Sequence, residues 1–252
     1  MSIKIKICGV TLSAQAREIA RLGADYIGCV IEFPRSPRSV SAERAREIRE
    51  AVEENSRGKA LPYLYDGRGV LQYARTQVVG VVVDLPFDRL RTLIEETGIH
   101  IWQLHGEEDE QYIRKLKEMG VEVWKVIRGD TPRPDMSLDT PLKRGFPSYG
   151  GVAERLRGGF EAGNADKVVV DAKNPIHGAG GSGALSDWKF ARELQQQGYS
   201  VVLSGGLNQE NVLEAIQEVQ PDVVDVSSGV EARPGVKGLD LVKKFIKCTT
   251  RL

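Results

Sequence analysis

Short runs dense in valine and isoleucine alternate along the chain with charged stretches whose apolar residues recur every three to four positions. The first pattern is the signature of β-strands and the second of amphipathic helices. Strands are predicted over residues 4–10, 26–31, 78–83, 99–104, 121–127, 167–171, 200–204 and 223–227. Helices are predicted over 13–22, 42–54, 87–97, 107–119, 186–197, 209–219 and 239–247, with a weaker one over 152–156. Four of these helices run into a glycine that leads directly to the next strand: Gly23, Gly98, Gly120 and Gly198. A glycine there supplies the left-handed residue that closes a helix, and so short a connection suits parallel strands.

Eight strand–helix units within 252 residues predict an α/β fold, a (β/α)8 TIM barrel forming one domain over 1–252. An open, doubly wound sheet is the architectural rival. Two stretches break the rhythm, about 55–77 and 128–166, and read as loop insertions. Residues 61–65 in the first suit an extra short strand or a lid. The second is rich in proline and glycine and follows the fifth strand, which suits a functional loop or a solvated insertion equally.

Composition narrows the class. The 35 basic side chains balance 35 acidic ones, which argues against a general nucleic-acid binder. The longest apolar run, 78–83, falls far short of the ~20 residues that span a bilayer. Lysines are threaded through the apolar residues at the start of the chain, so no signal peptide is expected there. Three cysteines without a CxxC pair fit a reducing compartment. The expectation is a cytoplasmic protein, monomer or homodimer, whose partner is a small molecule.

Strand phase then selects candidate chemistry. In a barrel, alternate side chains point inward and reactive groups gather at the C-terminal strand ends. Turning Ile5 and Ile7 towards the helices puts Lys6 and Cys8 inside. The same rule puts Gln103 and His105 inside on the fourth strand, Lys125 with Val123 and Ile127 on the fifth, Asp171 on the sixth and Asp225 on the eighth. Buried charges must pair or face a wet cavity. By spacing alone, Cys8 and Asp171 fit catalysis or simple packing.

Anion capture is the second signal. Residues 204–208 and 227–231 follow the seventh and eighth strands, where many barrels hold a phosphate. Gly205, Gly206, Ser228 and Gly229 are the candidate amide donors, with Gly181 and Gly183 of a third glycine cluster closing over them. Three such loops at one barrel face point to a sugar phosphate. His100, His105 and His177 sit in different settings without an HExxH motif, so no metal and no cofactor is expected. Cys29 and Cys248 read as packing or surface residues.

Several blocks resemble the phosphoribosylanthranilate isomerase family: Lys6-Ile7-Cys8-Gly9-Val10, residues 36–41, Gln103-Leu104-His105-Gly106-Glu107, Val170-Asp171-Ala172, 180–183, Asp187-Trp188, 203–208, Asn211-Val212 and 224–231. They span nearly the whole chain in family order. The two insertions lack a clear counterpart, and Gly238 stands where the family usually has an acidic residue after its lysine. The resemblance implies an aldose–ketose isomerase of tryptophan biosynthesis. It assigns Asp171 as general acid for opening a furanose ring and Cys8 as general base at the sugar's second carbon. It gives Arg38 the carboxylate of the anthranilate ring. Cys8 needs a neighbouring cation to serve as base, and Lys6 is the nearest candidate. The alternatives are another phosphosugar barrel, namely a histidine-pathway aminoaldose isomerase or an indole-ring synthase, and a non-catalytic phosphosugar-binding paralogue.

Overall fold

The computed structural model describes residues 3–56, 64–65, 71–72, 76–128, 165–171 and 187–249. Eight parallel strands form the barrel: β1 (Lys4–Cys8), β2 (Tyr26–Ile31), β3 (Gln77–Val82), β4 (Ile101–Leu104), β5 (Glu122–Arg128), β6 (Lys167–Asp171), β7 (Val201–Leu203) and β8 (Val223–Val226). Each pairs with its chain neighbours, and β1 pairs with both β2 and β8, so the sheet closes and the open-sheet alternative is excluded. The described helices are α1 (Ser13–Arg21), α2 (Ala42–Ser56), α3 (Phe87–Thr97), α4 (Glu110–Glu118), α5 (Trp188–Gln196), α6 (Val212–Val219) and α7 (Leu239–Thr249). None of these helices is long and apolar enough to cross a membrane.

Local chemistry sets the helix ends. Gly23, Gly98, Gly120 and Gly198 all carry positive φ, as their places at the helix exits require. Asp109 and Asp187 cap α4 and α5, their carboxylates accepting from the amides of Tyr112 and Phe190. These caps start both helices later than periodicity alone suggests. Asn208 and Asn211 hold each other's backbone ahead of α6 and delay it to Val212 in the same way.

The core has two layers. Ile5, Ile7, Trp102, Leu104, Val123 and Ile127 belong to the large cluster between sheet and helices. Tyr26, Val79, Ile101, Trp124, Val126, Val169, Val202 and Val223 fill the barrel interior. Tyr26 and Trp124 meet edge to face there, with ring centres 5.0 Å apart. The inward phase of Lys6, Gln103, Asp171 and Asp225 is as the alternation predicts.

The fifth strand has the opposite phase to the one expected. Trp124 and Val126 point inward, while Lys125 shares the outer face with Val123 and Ile127. Val123, Trp124, Val126 and Ile127 are all buried apolar residues, so alternation carries no sidedness, and the lone lysine misleads. Its ammonium instead donates to Glu108 at 2.7 Å and to the Gly106 carbonyl at 2.6 Å.

Three short features go beyond the predicted elements. Ser39–Val40 adds a parallel strand beside β2. Leu64–Tyr65 pairs antiparallel with Leu71–Gln72 within residues 55–77, where a short extra strand or a lid is expected. A 3-10 turn, Ser228–Val230, leads into an antiparallel hairpin of Glu231–Arg233 and Val236–Lys237. The expected helix over 152–156, the 178–183 glycine cluster and nearly all of 128–166 lie outside the described residues.

Candidate active site

The C-terminal strand ends surround one open cleft of about 560 Å³, counting the solvent at its mouth. Cys8, Gln103, His105, Asp171 and Asp225 all line it, joined by Arg38 and by Ser204, Gly205, Gly206, Ser227 and Ser228 from the last two loops. Nearly the whole expected set therefore converges. Gly181 and Gly183 fall outside the described residues.

Lys6 forms the floor. It sits beside Asp225 in the β1–β8 register, and its fully buried ammonium donates to Asp225 at 2.7 Å and to Gln103 Oε1 at 3.0 Å. Burial pulls the lysine down, but Asp225 and Cys8 together outweigh it and the ammonium is held above its ordinary range. Burial likewise raises the Asp225 carboxyl, against the pull of Lys6. Asp225 Oδ1 is buried and has no hydrogen-bond partner among the described residues. An acceptor left in that state is costly, and a ligand hydroxyl would satisfy it.

Cys8 stands one pleat above Lys6. Its register partner is Gly28, where a Cβ would come within 2.7 Å of Cys8 Sγ. The missing side chain is what leaves room for the thiol. Burial pushes the Cys8 thiol above its ordinary range, and the charges of Lys6 and Lys237 only partly offset this. Three strands away round the barrel, Asp171 Oδ2 lies 3.3 Å from His105 Nε2. One cleft thus holds a thiol on one arc of the barrel and a carboxyl–imidazole pair on another.

The candidate anion loops are built from backbone. Gly205 and Gly206 both have positive φ, and Asn211 fixes their turn by donating to the Gly206 carbonyl at 2.9 Å. A Cβ at Gly229 would lie 2.0 Å from the Leu207 carbonyl oxygen. The loops after β7 and β8 therefore touch backbone to backbone, which only glycine permits.

Arg38 enters from the loop after β2. Its guanidinium grips Glu231 with both Nε and Nη2, at 2.8 and 2.7 Å. Lys237 donates to the same carboxylate at 2.7 Å. Glu231 lay within a recognised block without a role of its own, and Lys237 was noted only for its neighbour Gly238. The Pro234-Gly235 pair between them is the signal that could have placed them together, because it reads as a turn folding Lys237 back onto Glu231. Gly28 carried no signal at all.

The chain is similar to known proteins over nearly its whole length. The family model for N-(5'phosphoribosyl)anthranilate (PRA) isomerase matches residues 66–136 and 155–248. The N-(5'-phosphoribosyl)anthranilate isomerase of Aquifex aeolicus is 37% identical over 248 residues, 98% of each chain. The crystal structure of phosphoribosyl anthranilate isomerase from Thermotoga maritima is 30% identical with a TM-score of 0.70, covering 99% of this chain and 100% of that one. A further isomerase structure, in complex with reduced 1-(o-carboxyphenylamino)-1-deoxyribulose 5-phosphate, is 28% identical with a TM-score of 0.67 over 99% and 100% of the two chains.

Proposed function

The chain belongs to the N-(5'-phosphoribosyl)anthranilate isomerase family, and from that membership we propose how its own residues carry out the reaction. The protein is an isomerase of tryptophan biosynthesis. It converts N-(5-phosphoribosyl)anthranilate to 1-(2-carboxyphenylamino)-1-deoxyribulose 5-phosphate by an Amadori rearrangement.

Asp171 is the general acid. Its carboxyl proton goes to the furanose ring oxygen as the bond to the first sugar carbon breaks, and the amine lone pair forms the imine. Cys8 is the general base, its thiolate removing the proton from the second carbon. The resulting enaminol then ketonises: the Cys8 thiol gives its proton to the first carbon, and the hydroxyl proton returns to the Asp171 carboxylate. No atoms are gained or lost overall. His105 beside Asp171 steadies that carboxyl. Asp225 Oδ1 and Gln103 face the sugar hydroxyls, while Lys6 holds both in place. Arg38 takes the ring carboxylate, a match for its planar fork. The phosphate rests against the glycine-bearing loops at Gly205, Gly206, Ser228 and Gly229, closed by Gly181 and Gly183.

The observation that carries this reading is the thiol and the carboxyl lining one cleft from separate arcs of the barrel. A catalytically idle paralogue would have no need to keep both. The reading extends to a single barrel domain with insertions at 55–77 and 128–166. It works in the cytoplasm as a monomer or homodimer, on a free phosphosugar and without nucleic acid. Mixing fresh phosphoribosylanthranilate with the purified protein tests it. The anthranilate fluorescence should change at a rate proportional to protein concentration, and a trace no faster than the protein-free control would refute the assignment.

A further inference from the structure

Behind Arg38 lies a buried charge cluster that the reaction steps do not use. Glu231 and Lys237 project from the two strands of the terminal hairpin, and their side chains are 6% and 0% exposed. Neither is among the described residues lining the cleft; Arg38 stands between them and it. Glu231 accepts from Arg38 Nε, Arg38 Nη2, Lys237 Nζ and the Gly235 amide. The Lys237 ammonium also donates to the Ser227 carbonyl at 3.1 Å, and its backbone is pinned to the Gln15 amide on both sides.

The surroundings fix the arginine in one place. Gly9 has positive φ, and a Cβ there would come within 2.5 Å of Arg38 Cδ, so the arginine stem lies directly across the residue after Cys8. A Cβ at Gly235 would lie 2.8 Å from the Pro37 carbonyl oxygen, which brings the hairpin tip against the arginine's own loop. Two glycines thus admit a close approach from two sides, and Glu231 orients the fork.

Charge counting gives the rest of the argument. A bidentate carboxylate cancels most of the field of the guanidinium it holds, and a neutral pair is a poor receptor for an anion. Among the described residues, Arg38, Lys237 and Glu231 set two cations against one anion, which leaves the trio with a net positive charge at the cleft wall. We propose that Lys237 is a specificity-determining positioning residue. It neutralises Glu231 from behind, so that Glu231 orients Arg38 without cancelling its attraction for the carboxylate of the substrate's aminoaryl ring. This rests on the assignment of Arg38 to that carboxylate.

The probes are the reduced 1-(o-carboxyphenylamino)-1-deoxyribulose 5-phosphate and its phenylamino counterpart lacking the carboxylate. Binding is measured by calorimetry, with a melting curve for every variant. Lys237→Gln keeps hydrogen-bonding groups but no charge. It should weaken the carboxylated probe by about tenfold or more, the scale of one charged hydrogen bond, and the other probe by less than about twofold. Lys237→Arg should retain the native preference. The double variant Lys237→Gln/Glu231→Gln leaves Arg38 as the one charge of the three and should recover much of the lost affinity. A purely structural lysine would weaken both probes together, and the second substitution would not help; either result, or an unchanged preference in Lys237→Gln, overturns the proposal. Arg38→Met separates the two levels. If it leaves the preference for the carboxylated probe intact, the assignment of Arg38 fails; if it abolishes that preference while Lys237→Gln does not, only the role of Lys237 fails.

Discussion

At the scale of single residues, the proposed base is held in a state that resists its own chemistry. Burial raises the Cys8 thiol, the nearby Asp225 charge adds to this, and Lys6 and Lys237 offset the two only in part. A raised pKa means that the thiol keeps its proton through neutrality and yields thiolate only as pH climbs beyond the ordinary thiol range. Iodoacetamide modification of Cys8, followed by peptide mass spectrometry, should therefore accelerate with pH to a midpoint above that of a free cysteine. A midpoint below it would contradict the burial effect. Gly28 belongs to the same account, since any side chain there would push into the sulfur.

Much of this was legible residue by residue. A strand such as β1, with lysines on one face and isoleucines on the other, declares its phase, and Lys6 and Cys8 follow from it. β5 does not, because both of its faces are apolar and Lys125 is drawn outward by a glutamate from a neighbouring loop. Asp171 and Asp225 were visible because one ends a run of buried valines and the other interrupts one, where an acid needs a reason. Gly28 was not visible: its use depends on a partner across the sheet, and register is a property of two strands.

At the scale of elements, the loops proposed to hold the phosphate depend on how closely two backbones approach. Gly229 touches the Leu207 carbonyl, so Gly229→Ala must push the loop after β8 away from the loop after β7. Losing even one amide contact to phosphate costs about 1.5–3 kcal/mol, or roughly tenfold or more in affinity. The variant should raise KM by at least that factor, with a smaller effect on kcat. Inorganic phosphate, used as a competitive inhibitor, should weaken in parallel. Unchanged KM and unchanged phosphate inhibition would remove these loops from the site. The hairpin that carries Glu231 and Lys237 escaped the periodicity search because its strands are only three and two residues long. Elements that short have no period to detect, and only the Pro-Gly turn marks them.

At the scale of the whole molecule, the Lys6–Asp225 pair ties the proposed site to closure of the barrel. It spans the β1–β8 seam where the last strand meets the first, and both partners are buried. Removing one partner of such a pair leaves an uncompensated charge and typically costs about 3–5 kcal/mol. Lys6→Met should destabilise the protein by about that much in urea unfolding, whereas Lys6→Met/Asp225→Leu should lose less. A single variant within about 1 kcal/mol of native would show that the seam does not rely on the pair.

The barrel as a whole was the most legible feature, since eight repeats of strand and helix leave few topologies that close. The division of labour across its mouth is the central claim, and the kinetics of Cys8→Ser and Asp171→Asn test it most directly. Each removes one proton-transfer group with little change of shape, and general acid or base catalysis is typically worth ~100- to 10,000-fold. The measurement is single turnover of fresh phosphoribosylanthranilate, read by anthranilate fluorescence and normalised to folded protein from a melting curve. Both variants should bind substrate and turn it over at least ~100-fold more slowly than the native protein. Folded Cys8→Ser with near-native turnover would contradict the account and pass the role of base to His105.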